Sequence, residues 1–333
     1  MSLTAQKRHC HYHTENPLLL EGKVSRMKSG STPCEAHVLA EIRQQLRNLP
    51  PGLRTRFAPS PTGYLHLGHA ASAVFVWGIA QAIDAEVVLR IEDHDRGRVR
   101  PEYEKAILED LIWLGLIQEP KFFRQSNHWD RYQNKMEEAR ARGLVYACSC
   151  SRREIQERTG DDSREELRYD GHCRDLGHDD HQAGLRIRME PQNFSFTDLW
   201  TGPQVQKPSE QCGDLLIRDR DGYWTYNFAV SIDDAAEDID LIIRGQDLLS
   251  ATGRQLQLRS IFAVTQQLRF IHHPLIWESP ERKLSKRNGS TSLRHLREQG
   301  LSAAMILGQA AYSVGLLPKL EPVAAHELKG LFT

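Results

Sequence analysis

The stretch from Arg54 to Ile91 constrains the fold more than any other part of the chain. Arg54 to Ala58 reads as a strand and Pro59-Ser60-Pro61-Thr62-Gly63 as a loop. About Leu67 to Ile83 reads as an apolar helix, and Glu86 to Ile91 as a second β-rich run. Strand, helix and strand of these lengths make a βαβ unit. Further helices are expected around Ile107–Leu114 and over about Trp129 to Arg142. Such alternation argues for a parallel sheet carrying helices on its faces.

The rhythm is broken at two places. Residues 1–52 show no sustained period and end in the breaker cluster Leu49-Pro50-Pro51-Gly52, so they are expected to form an N-terminal extension outside the core, with a short helix from about Pro33 to Arg47. Residues 146–183 bring charge, Gly, His and Cys into the pattern and read as an insertion between two halves of the catalytic core, 53–145 and 184–270. In the second half, strand-like pieces are expected at Leu185–Met189, Asp214–Arg218 and, after the turn signal Asp221-Gly222, at Tyr223–Ile232. A helix follows over about Arg254 to Gln267. Residues 271–333 hold a basic loop, a short polar helix and an apolar helix near Ala303–Val314. The expected class is α/β, with a Rossmann-type parallel sheet, one insertion and a short helical C-terminal region. At 333 residues the chain has room for about two domains of roughly 150 residues.

Several functional classes are disfavoured. The longest apolar runs, Ala73–Ile83 and Leu111–Ile117, fall short of the ~20 residues of a spanning helix. The first thirty residues lack the apolar centre of a secretory signal, so a cytoplasmic protein that meets no membrane is expected. Six cysteines (Cys10, Cys34, Cys148, Cys150, Cys173, Cys212) are too few and too uneven for a disulfide framework, but three of them cluster as a local metal site would require. A formal net charge of -1 carries no global nucleic-acid signature, so any RNA contact must come from a local patch.

Chemistry enters with His66, Gly68 and His69, between the first strand and the helix that follows it. Backbone N–H groups and the helix dipole at such a junction receive phosphate, imidazoles donate to phosphate oxygens, and a glycine lets the nucleotide approach. Alone, these could equally be surface histidines at a turn. Far downstream, Lys283-Leu284-Ser285-Lys286-Arg287 offers two lysines that can converge on a triphosphate, or else form a solvated basic loop. The two segments in this order favour ATP.

Arg56-Phe57-Ala58-Pro59-Ser60-Pro61-Thr62-Gly63 running into His66-Leu67-Gly68-His69, then Arg90-Ile91-Glu92-Asp93 and Lys283-Leu284-Ser285-Lys286, resembles a glutamyl-type class I aminoacyl-tRNA synthetase. The resemblance spans about Leu53 to Gly315 and covers that family's two ATP signatures, known as HIGH and KMSKS. The second departs from the pattern: Leu284 stands for Met, and Arg287 stands where the final Ser would be. Glutaminyl enzymes typically carry Pro-Pro-Glu-Pro-Asn where this chain has Ala-Pro-Ser-Pro-Thr, so the match is to the glutamyl side. The resemblance implies ATP bound by His66, Gly68, His69, Lys283, Ser285 and Lys286, with His66, His69 and Lys286 catalytic and Mg2+ bridging the triphosphate.

Glutamate carries two carboxylates and one ammonium, so its pocket needs guanidinium forks and an acidic group. Arg56, leaving the first strand, and Arg244, at the end of a later one, are candidates for the carboxylates. Glu92, at the carboxyl end of the second strand, is placed to hold the ammonium. Either acid or base could instead belong to a structural ion pair. The resemblance adds Tyr226 as a pocket wall and Phe57, Ala58, Pro59 and Ser60 as the loop along it.

Cys148, Cys150 and Cys173 supply three thiols, and zinc takes four donors in a tetrahedron. Donor chemistry favours His172, His178 or His181 as the fourth; the resemblance points to Tyr169, through Cys-x-Cys followed by Tyr-x-x-x-Cys. Four protein ligands leave no open position, so structural Zn2+ is expected.

After Arg287 the sequence holds only the stretch to Thr333, where the charging enzymes of this family continue into a large helical anticodon-binding region. The resemblance is therefore to the family's stand-alone cores, which activate L-glutamate and attach it to queuosine in the anticodon of tRNA(Asp). A monomer is expected. A shortened enzyme charging tRNA(Glu) shares every motif above, whereas a small-molecule nucleotidyltransferase leaves the Arg56–Gly63 run and the lysine loop unexplained. A non-catalytic RNA-binding relative would be expected to have lost the histidines, Glu92 or Lys286.

Overall fold

The computed structural model describes residues 33–160, 167–279, 282–283 and 291–333. Helix α1 (Pro33–Arg47) leads into β1 (Arg54–Phe57), α2 (Leu67–Ile83) and β2 (Glu86–Ile91). Then come α3 (Pro101–Trp113), β3 (Phe123–Arg124) and α4 (Trp129–Ala141). β1 and β2 pair in parallel from Arg54–Glu86 to Phe57–Leu89, and β3 joins β2 in the same sense, which is the expected βαβ unit. α2 is apolar nearly all round and lies in the middle of the molecule, with Val74, Phe75 and Ile79 fully buried. Burial of each such side chain stabilises the fold by about 1.5–3 kcal/mol.

The described part of the stretch before β1, from Pro33 on, packs against the core rather than outside it. α1 places Ile42 and Leu46 in the same apolar cluster as α2, and Arg43 Nη2 donates to the Leu331 carbonyl at 2.9 Å. Residues 1–32 lie outside the described residues.

Next come β4 (Val145–Cys148), α5 (Arg152–Thr159), β5 (Gly184–Ile187), β6 (Phe194–Asp198), β7 (Gly202–Gln206), α6 (Pro208–Gln211) and β8 (Leu215–Arg218). The strands expected at 185–189 and 214–218 do not return to the parallel sheet. β4, β5 and β8 form an antiparallel sheet of their own. It is packed through Val145, Leu185 and Ile217 against Tyr132, Met136, Trp224 and Phe228.

α7 (Tyr226–Ala236) corrects the strand expected over Tyr223–Ile232. The turn at Gly222 (φ +85°) does fold back, but it closes only one bridge, Arg218–Trp224, before Thr225 starts the helix. Phe228 through Asp234 are all buried, the polar Ser231, Asp233 and Asp234 among them, so over this stretch the polar residues of the helix face partners inside the fold rather than water.

The chain then runs through β9 (Leu241–Gly245), α8 (Thr252–Ile261), β10 (Arg269–His273), β11 (Trp277–Ser279), β12 (Arg282–Lys283), α9 (Leu293–Glu298) and α10 (Ala303–Ser313). α8 starts earlier and stops sooner than expected, because Ala263 turns left-handed (φ +52°). β9, β10 and β6 are parallel, with β7 antiparallel at the edge. β9 lies against β1, where the Asp240 N–H donates to Arg54 O at 3.1 Å. The two halves therefore meet at β1 and β9, and the carboxyl ends of β1, β2, β9 and β10 open on one crevice. Among the described residues no helix is long and apolar enough to cross a membrane.

Candidate active site

His66 caps α2. Its Nδ1 accepts the Gly68 N–H at 3.1 Å, and His69 Nδ1 in turn accepts the His66 N–H at 3.1 Å. With both Nδ1 atoms accepting backbone protons, each neutral ring carries its own proton on Nε2. The rings sit 3.9 Å apart and tilted by 49° at the helix N-terminus, two donors beside a positive dipole end. A Cβ on Gly68 would lie 2.9 Å from His66 Cε1, so only glycine leaves this capping ring in place.

The chain that follows the lysine segment is anchored at the same spot. Leaving β12 at Lys283, the chain re-enters the described structure at Thr291, and Ser292 bridges His66 while the Leu293 N–H donates to Leu65 O at 2.8 Å. Ser285, Lys286 and the Lys283 side chain lie outside the described residues.

At the crevice floor the expected glutamate residues come together on a buried charge network. Arg56 Nε meets Asp234 Oδ1 at 3.1 Å, and Arg56 Nη1 donates to Ile243 O at 3.2 Å. Arg90 spans Asp234 (2.8 Å), Glu92 (3.3 Å) and Glu237 (2.9 Å). Burial alone would raise the Asp234 pKa, but Arg56 and Arg90 outweigh it and hold this carboxyl below its ordinary value. Glu92 goes the other way: burial raises its pKa, and Arg90, His94 and Arg56 only partly offset that. The Glu92 N–H donates to Pro59 O at 3.1 Å, which lays the Pro59–Pro61 loop along the crevice rim. Phe57 instead turns its ring into the core, 5.0 Å from Trp77.

Arg244 enters from β9. Its Nε donates to His272 Nε2 (2.9 Å), Nη1 to Gln255 Oε1 (2.7 Å) and Nη2 to Thr252 Oγ1 (2.9 Å). Of the five N–H groups of a guanidinium, those left over sit on the two terminal nitrogens, and Tyr226 lies close enough for its charge state to bear on the cation. A cavity of about 470 Å³ runs from Tyr226 and Asn227 to Cys148 and Cys150, with Arg152 and Arg220 in its wall.

Cys148, Cys150 and Cys173 converge, their sulfurs all within 4.8 Å of one another. Tyr169 Oη lies 3.4 Å from Cys148 Sγ and 3.9 Å from Cys150 Sγ, and Cys150 and Cys173 are 3.4 Å apart. Zinc at about 2.3 Å from sulfur and 2.0 Å from oxygen sets tetrahedral donor separations of roughly 3.5–3.8 Å, so these four donors fit it. Arg158 and Arg186 each donate to a sulfur at 3.3 Å, offsetting thiolate charge. Gly213 holds Tyr169 in place: at φ +66° its Cβ would strike the Tyr169 carbonyl at 1.9 Å. Of the histidines considered, His178 reaches Ser149 Oγ (3.5 Å) instead, and His172 and His181 are exposed.

Asp198, Gln255, His272 and Glu237 were not among the residues singled out from sequence. The one visible signal was polar residues inside apolar strands, such as the histidines of Phe270-Ile271-His272-His273.

Comparison with known proteins agrees with this architecture. The family described as tRNA synthetases class I (E and Q), catalytic domain, matches residues 52–316. A glutamyl-Q tRNA(Asp) synthetase of Nitratidesulfovibrio vulgaris is 36% identical over 300 residues, covering 84% of this chain and 92% of that protein. A glutamate–tRNA ligase of Halorhodospira halophila is 38% identical over 255 residues, but the match covers 54% of that protein. The glutamate–tRNA synthetase structure from Elizabethkingia anophelis shares the fold, with a TM-score of 0.67 at 24% identity over 84% of this chain and 65% of that one. With the family matching most of its length, this chain belongs to the class I tRNA synthetases of the E and Q type and is a ligase of that family.

Proposed function

We propose that the chain activates L-glutamate with ATP and passes the glutamyl group to queuosine in the anticodon of tRNA(Asp). The observation that carries the first half is the convergence of Arg56, Arg244, Glu92 and Tyr226 on one crevice beside His66 and His69. Two guanidinium groups take the two carboxylates of glutamate, and Glu92 takes its ammonium. A substrate α-carboxylate oxygen attacks the α-phosphorus of ATP, the bond to the bridging oxygen breaks, and pyrophosphate leaves. The Nε2–H donors of His66 and His69 meet the charge that builds on the phosphate oxygens, with Lys286 as a further cation and Mg2+ arriving on the nucleotide. Held close to the attacking oxygen, ATP reacts largely through positioning. A hydroxyl of the queuosine ring then attacks the activated carbonyl, gives up its proton, and displaces AMP to leave an ester. The cavity beyond Tyr226 gives such an acceptor a way in.

The names of curated relatives support the acceptor. The match covers 92% and 86% of two glutamyl-Q tRNA(Asp) synthetases, against 54% of the glutamate–tRNA ligase. Charging of tRNA(Glu) is the second reading, favoured by the 38% identity to that ligase. The Cys148, Cys150, Cys173 and Tyr169 donors would hold structural zinc, which supplies a cross-link and no open coordination position.

Labelled glutamate offered with ATP and three RNAs tests the reading: queuosine-containing tRNA(Asp), the same tRNA without queuosine, and tRNA(Glu). Label on the first alone is expected; label on tRNA(Glu) would replace the proposal by the charging reading.

Glutamate use should also depend on pH. An ammonium ligand pairs only with ionised Glu92, so affinity is lost as pH falls through the pKa of that group, which burial has raised. In pyrophosphate exchange, KM for glutamate should begin to climb above the ordinary glutamate value of about 4.3. A KM flat down to that value would remove Glu92 from the ammonium site.

A further inference from the structure

We infer that His272, braced by Asp198, is a positioning residue that fixes the guanidinium of Arg244 for glutamate. This rests on the reading of Arg244 as a carboxylate-binding group. An arginine Nε–H can only donate, so His272 Nε2, 2.9 Å away, must accept, and the imidazole proton must sit on Nδ1. There it meets Asp198 Oδ2 at 2.7 Å. Asp198 is itself immobilised, taking the backbone N–H groups of Trp200 (3.0 Å), Thr201 (2.8 Å) and His272 (3.0 Å).

The chain Asp198–His272–Arg244 thus runs from β6 through β10 to β9 and ends at the crevice. His272 and Asp198 are fully buried, and neither reaches the substrate side. Burial lowers the His272 pKa and outweighs the hydrogen bond to Asp198, which keeps the ring in the neutral, accepting form. Thr252 and Gln255 fix the two terminal nitrogens, so with Nε held by His272 the guanidinium plane is pinned at three points. The N–H groups left over are presented as a planar fork, the geometry a carboxylate requires. Without the Nε contact that plane can rotate, and a buried donor is left unpaired.

The test is glutamate-dependent ATP–pyrophosphate exchange by the full chain, with His272→Leu, His272→Gln and Arg244→Lys beside the wild type. Leucine removes the acceptor at similar volume, while glutamine returns an amide oxygen near the position of Nε2. His272→Leu should raise KM for glutamate about ten-fold, with KM for ATP unchanged. His272→Gln should recover most of that loss, which a role in packing alone would not produce. An unchanged glutamate KM in His272→Leu, or equal rises in both KM values with no recovery by glutamine, overturns the inference. If the wild type is active and Arg244→Lys keeps its glutamate KM, the reading of Arg244 falls and this inference falls with it. Wild-type protein without glutamate-dependent exchange would instead refute the glutamate reading itself.

Discussion

Asp234→Asn should lower the unfolding free energy by about 3–5 kcal/mol, the usual cost of taking one partner out of a buried ion pair. Both Arg56 and Arg90 lean on this carboxylate, at 3.1 and 2.8 Å, in a site where all three side chains are nearly inaccessible to water. Glu92 and Glu237 can offset Arg90, but Arg56 has no second carboxylate contact within ion-pair distance among the described residues. Thermal melting should register a fall on the order of 10 °C. Asp238→Asn, at an exposed left-handed position that asparagine accepts readily, should change little. The pH dependence has a definite sign. Because the Asp234 pKa is held low in the folded state, its contribution is complete above the unfolded aspartate value of about 3.9 and is lost as pH falls through the folded value. The gap between wild type and variant should therefore persist at neutral pH and close only in strong acid. A variant that melts with the wild type at neutral pH would show that this network does not hold the two halves together.

Metal removal should have the second large effect, and a local one. The protein is expected to carry one zinc per chain, and Cys173→Ser should abolish it, since two thiolates and a phenol bind far more weakly than three thiolates and a phenol. Burial raises the Cys173 and Cys150 thiols; the hydrogen bonds from Tyr169 and Cys150 outweigh it at Cys173 and hold that thiol low, whereas Cys150, 3.4 Å away, is pushed up to about 11, so the pair shares one proton. Loss of the metal should release the Cys148–Cys173 region and expose β4 and β5 to proteolysis. The parallel sheet, whose apolar cluster contains none of these residues, should keep its melting transition. His178→Ala should retain zinc, because His178 faces Ser149 rather than the sulfurs. Elemental analysis decides the matter: metal-free wild-type protein, or zinc kept in Cys173→Ser, would remove the proposed centre.

The sequence by itself determined the βαβ unit and the histidine–glycine junction at the start of α2. Helix α2 and strands β1 and β2 follow from local patterning, and His66, Gly68 and His69 are close in the chain, so their contacts are set by one helix N-terminus. The Cys-x-Cys pair was legible for the same reason. Donor chemistry alone pointed to a nearby histidine and only the resemblance to Tyr169, which the fold brings to the sulfurs with its backbone packed against the left-handed turn at Gly213. Tertiary structure alone decided that β4, β5 and β8 form a separate antiparallel sheet, since register depends on partners far away in sequence. It also decided that Tyr223–Ile232 ends in a helix. The turn signal at Asp221-Gly222 and the β-favouring Tyr223–Val230 run read locally as a strand, whereas the helix is held by burial of Phe228 to Ile232 and by the ion pairs and hydrogen bonds of Asp233 and Asp234, whose partners lie far away in sequence. The charges at the crevice floor show the same limit most clearly. Arg56, Arg90, Asp234 and Arg244 come from four elements, and nothing in the order of residues says which cation will meet which acid. Desolvation makes those pairings compulsory, because a charge brought inside the fold must find a partner there.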